Sequence, residues 1–132
     1  METPLPGTAQ RVPASTSEEI NEAIRHETGD RLQYYAEHPE EIDDRLAELE
    51  REWDIERTLE ANASALILVC LGLGATVDRK FLAMPAVIAA FLFQHALQGW
   101  CPPIPVLRRL GVRTQREIDA ERYALEALQN AQ

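Results

Sequence analysis

At 132 residues, with 22 acidic side chains against 13 basic ones, the chain has a formal charge of −9 and room for one sizeable core but not two. The charge is uneven: residues 1–60 hold seventeen acids and six arginines, residues 61–132 five acids and seven basic residues. An acidic amino-terminal half excludes nucleic acid as its partner, because phosphate binding needs clustered Lys and Arg. Cys70 and Cys101 lack the Cys/His spacing of a metal site or a disulfide framework, so no metal and no cofactor is expected.

In chain order, residues 1–16 carry Pro4, Pro6 and Pro13 but no apolar run, which does not fit a secretory signal and predicts a disordered leader. Residues 17–60 read as an acidic helical region. Ser17 can cap a helix whose first turn holds Glu18 and Glu19, with Ile20 and Ile24 on one face and an interruption at Gly29. Proline in His38-Pro39-Glu40-Glu41 suits the start of a second, long helix. Ile42, Leu46, Leu49 and Trp53 then recur at intervals of four, three and four. They form an interaction stripe, which either docks on the chain's own first helix or the membrane surface, or serves as a self-associating seam.

The character changes at Ala61. Residues 61–77 contain no charge, residues 81–107 contain none if His95 is neutral, and only Asp78-Arg79-Lys80 separates them. At 1.5 Å per residue, spans over 61–77 and 81–100 would reach about 25 and 30 Å, close to the hydrocarbon thickness of a bilayer. The expected fold class is all-α: a two-helix transmembrane hairpin over 61–100 with amphipathic cytoplasmic helices on both sides. The alternative is a soluble helical bundle, for which Asn62 and Ser64 speak. Leu66 to Val77 shows no polar stripe, and a chain this small can hardly surround two such helices with protein. Gly72, Gly74, Ala75, Ala86, Ala89 and Ala90 would allow close helix contacts in lipid.

Arginines outnumber the turn's basic pair on both flanks of the hairpin, which predicts cytoplasmic termini in a bacterial inner membrane. Residues 101–132 read as a basic juxtamembrane segment, then a final helix opened by the capping-box spacing Thr114 to Glu117. Arg108, Arg109, Arg113 and Arg116 are expected to lie along anionic headgroups, with membrane lipid as the partner.

Gln94, His95, Gln98 and Cys101 form the densest polar cluster in an apolar setting. Structural glue and a functional site are both open for it. Cys101, with arginines nearby to favour a thiolate, is the candidate nucleophile. A haem ligand at Cys101-Pro102 is a weaker reading.

Glu56-Arg57, the short apolar hairpin, Gly99-Trp100-Cys101-Pro102 and Leu110-Gly111 together resemble the YgaP-like transmembrane domain, the membrane half of bacterial inner-membrane rhodaneses, whose free-standing members have unknown function. The resemblance covers about residues 55–112. It departs at Pro103-Ile104-Pro105 and in having no rhodanese domain or cysteine within residues 1–60. It implies membrane location and helical dimerisation. The expected role is a homo-oligomeric, non-enzymatic scaffold that meets a cytoplasmic protein through residues 17–60. A sulfur-relay or thiol-redox component acting through Cys101 is the alternative.

Overall fold

The computed structural model describes residues 5–131, and among these every regular element is helical. Seven α-helices follow in order: α1 (Arg11–Ala14), α2 (Glu18–Glu37), α3 (Ile42–Arg51), α4 (Ile55–Thr76), α5 (Ala83–Gln98), α6 (Pro103–Arg109) and α7 (Gln115–Asn130). The all-α expectation holds.

Local chemistry sets the boundaries. The Ser17 hydroxyl accepts from Ile20 N to start α2. This helix runs straight through Gly29, contrary to the expected interruption. A mid-helix glycine costs only about 1 kcal/mol relative to alanine, and the packing of α2 against α7 absorbs it. Pro39–Glu41 form a 3-10 turn that leads into α3. The long helix expected from Pro39 is then broken at residues 52–54, where Asp54 turns extended and its carboxylate accepts from Arg57 N at 3.1 Å. That new N-cap starts α4 six residues before the apolar run.

Two small cores result. Ile42 and Leu49 of α3 bury against Ile118 and Leu125 of α7, with Leu32, Tyr35, Leu46 and Leu128 around them. Most of the predicted stripe is therefore consumed within the chain, though its main partner is α7. Trp53 is not part of it: it lies beyond the end of α3 and is 46% exposed.

The second core sits where the hairpin leaves this helical head and joins Val12, Ile55, Leu59, Cys101 and Ile104. Val12 is 2% exposed. The disordered leader expected over 1–16 is therefore corrected for its described part: Arg11–Ala14 form a helical turn held against α5, and Ser15 Oγ donates to the Gln98 carbonyl at 2.7 Å. Masked by its prolines, this segment has one apolar side chain that matters, and an isolated valine gives no periodicity to read. Residues 1–4 lie outside the described region.

Beyond the second core, α4 and α5 project as an antiparallel pair. Asp78 caps the connecting turn by accepting from Lys80 N. Gly74 lets the turn fold back, since a Cβ there would overlap the Leu82 side chain. Both helices are long and apolar enough to cross a membrane, and almost nothing covers them. Leu68 and Val77 are 70% exposed and Phe93 68%. Ala86 and Ala90 are exposed, and nothing lies within 4 Å of a Cβ added at Gly72.

Candidate functional site at the base of the hairpin

At the hairpin's base Glu56 on the first turn of α4 meets His95 on the last turns of α5. Glu56 Oε2 stands 2.8 Å from His95 Nε2, and Oε1 accepts from Arg11 Nη2 at 2.6 Å. A carboxylate only accepts, so Nε2 carries the proton of this bond. His95 is 4% exposed, and its Nδ1 is buried without a partner among the described residues. The triad ties three elements together: the amino-terminal turn, α4 and α5.

The predicted polar cluster does not converge. Gln94 and Gln98 lie one turn apart on the outer face of α5, with Gln94 Nε2 3.3 Å from Gln98 Oε1. His95 faces inward to Glu56, and Cys101 belongs to neither face. The reason is Gly99, whose φ of 76° places it in the left-handed region and turns the chain before Cys101, so helical spacing ceases to apply. Gly99 also accepts the close approach of the amino-terminal turn: a Cβ there would overlap the Arg11 carbonyl group.

Cys101 is 1% exposed, packed with Val12, Ile55, Leu59 and Ile104. Burial pushes its thiol up, Glu56 pushes the same way, and the hydrogen bond with the Ile104 backbone opposes them. This reverses the thiolate-favouring setting expected from the nearby arginines, which are turned elsewhere.

Arg108 and Arg113, assigned to the headgroups, are corrected likewise. Arg108 is 1% exposed, donating to Asn21 Oδ1 at 2.9 Å and to both oxygens of Glu117. Arg113, 3% exposed, clasps Glu52 through two bonds of 3.0 and 2.6 Å and reaches Glu121 at 2.9 Å. Planar guanidinium forks suit such bidentate carboxylates, and pairing inside the head outweighs attraction to a surface. Arg109 and Arg116 are exposed.

The hub that residue spacing did not single out is Glu121. It has no solvent exposure and receives Arg31 Nε at 2.7 Å, Arg45 Nη2 at 3.0 Å and Arg113 Nη2 at 2.9 Å. Burial raises its carboxyl, but the bond from Arg31 and the charges of Arg113 and Arg45 outweigh burial and hold it below the ordinary range. Glu117 shows the same balance: burial raises it, while Arg108 and the Thr114 backbone bring it lower. Glu117 also completes the expected capping box with Thr114.

These carboxylates are neutralised partners rather than acids or bases poised for chemistry. Among the described residues, no group of three His, Cys, Asp or Glu side chains is arranged to hold a metal ion. Compared with protein-family models, curated proteins and solved structures, the chain matches none, so the likeness to the YgaP-like domain stands on its motifs alone.

Proposed function

We propose that the chain is a small bacterial inner-membrane protein, both termini cytoplasmic, in which α4 and α5 span the bilayer and the remaining helices form a head that serves as a non-enzymatic interaction scaffold. One observation carries the reading: the large apolar side chains of α4 and α5 are left uncovered along the projecting hairpin, while the head packs two cores and several buried ion pairs of its own. Soluble monomers rarely leave a continuous apolar patch of more than a few hundred Å² in water. Lipid covers it at no cost, and the backbone of both helices is already satisfied internally.

Self-association fits the outward small residues. Gly72, Ala86 and Ala90 allow the backbone of a second hairpin to approach closely, which is where helix contacts in lipid gain their packing. A cytoplasmic partner would meet the head on the outer faces of α2 and α3. With the apolar stripe consumed internally, those faces present Glu19, Glu22, Glu37, Asp44 and Glu50, suited to a basic surface. Membership of the YgaP-like family is part of the same proposal and rests on residues 55–112.

The test is fractionation with a carbonate wash, with topology tags at both ends. Retention with both tags cytoplasmic is expected, and crosslinking in the membrane should yield dimers or larger species. Release into the soluble fraction sinks the reading.

A further inference from the structure

The buried state of Arg108 and Arg113 raises a question of which side chains meet the headgroups in their place. The head carries few large apolar side chains in water apart from the hairpin, and three of them adjoin its base. Trp53 lies two residues before α4 begins. Val106 (59% exposed) and Leu110 (74%) lie on and just after α6, which packs against α4 through the core that Ile104 shares with Ile55. Ile104 and Arg108 form the inward face of α6, whereas Val106, Arg109 and Leu110, at spacings of three and four, share the outward one.

Cations accompany this apolar set. The Arg57 guanidinium lies 4.5 Å from the centroid of the Trp53 ring. Neither Arg57 nor Arg109 holds a carboxylate among the described residues, although acids abound in this chain and Arg108, next in sequence, binds one. Exposed indole stacked with an unpaired arginine, beside an amphipathic turn of Val, Arg and Leu, is the composition of a membrane interface: apolar parts reach the acyl boundary and cations stay with phosphate.

We infer that Trp53 with Arg57, and Val106 and Leu110 with Arg109, form a collar around the hairpin's base that binds the headgroup layer of an anionic leaflet. The collar rests on the membrane reading above and deepens it. It lies beside the start of α4 and on and just after α6, and it places Arg57 and Arg109, rather than Arg108 and Arg113, on lipid phosphate. Each arginine should favour anionic over zwitterionic lipid by about fivefold in its vicinity.

The experiment uses the full chain with Trp100→Phe, leaving Trp53 as the sole indole, in nanodiscs of phosphatidylcholine mixed with phosphatidylglycerol. Bromine is carried on one lipid at a time, near the glycerol end of its chains. Trp53 should be quenched, and more by brominated phosphatidylglycerol than by brominated phosphatidylcholine at equal mole fraction. Arg57→Gln and Arg109→Gln should each reduce that preference, whereas Arg122→Gln, which removes a head ion pair, should not. Equal quenching by the two lipids, or none, in protein that survives a carbonate wash overturns the collar and leaves the hairpin standing. Protein released by carbonate overturns both.

Discussion

Glu121 on α7 and Arg113 in the turn before it are eight residues apart in sequence and 2.9 Å apart in space, both buried, with Arg31 and Arg45 closing on the same carboxylate from α2 and α3. This single carboxylate holds three segments of the head in register. Glu121→Gln removes its charge and leaves the arginines facing one another. Breaking a buried pair from one side costs about 3–5 kcal/mol. Thermal unfolding of the detergent-solubilised protein should fall accordingly. Glu126→Gln, on the exposed face of the same helix, should leave it within about 0.5 kcal/mol. Equal behaviour of the two variants would remove Glu121 from its role.

The same carboxylates set an acid limit. Glu117 and Glu121 are held below the ordinary carboxyl range in the folded head, so the unfolded chain takes up their protons first as pH falls. Their contribution is complete above the ordinary Glu value and is lost progressively below it, through the depressed folded values. Stability of the head, followed by circular dichroism in detergent, should be flat for these groups near neutrality and decline into the acid range. Glu121→Gln should flatten the acid limb. A limb unchanged by that substitution contradicts the assignment.

Much of this head was legible in the residues. Ile42, Leu46 and Leu49 announced a buried face, Thr114 and Glu117 a capped helix, and the charge-free stretch from Ala61 a helix with no polar side. Glu121 could have been found as well: it falls three residues after Ile118 and four before Leu125, so an acid occupies the buried face of α7. Arg108 and Arg113 misled because a sequence shows how many cations stand together, not which acceptors return to them: the Asn21 amide oxygen and the carboxylates of Glu52, Glu117 and Glu121. The Arg11–Glu56–His95 triad was not readable, since its members are 45 and 39 residues apart and no local pattern links them.

Cover over Cys101 depends on the amino-terminal turn. Val12 packs in the core that holds the thiol, and Arg11 anchors that turn through Glu56. Maleimide should therefore label Cys101 slowly in membranes at neutral pH, in a Cys70→Ala background. The Arg11–Glu56 pair is partly exposed, 18% and 32%, so its loss is worth no more than about 1 kcal/mol after solvent screening. Arg11→Gln should accordingly raise the labelling rate by about fivefold or less. Fast labelling of the unaltered chain would mean the thiol is not covered, and would revive a thiol-relay role.

Two glycines with positive φ separate backbone conformation from crowding. Gly99 has φ 76° and Gly111 φ 86°, so alanine is strained at either, by about 1–2 kcal/mol. At Gly111 nothing lies within 4 Å of an added Cβ, and the conformational penalty is the whole cost. At Gly99 the methyl would overlap the Arg11 carbonyl and stand 2.7 Å from Val12 N, in rigid backbone rather than a side chain that can swing away. Gly99→Ala must therefore either lift the amino-terminal turn or distort the end of α5. It should destabilise more than Gly111→Ala, and alone of the two it should speed maleimide labelling of Cys101. Equal effects on both readouts would mean that the turn does not pack against Gly99 in the folded protein.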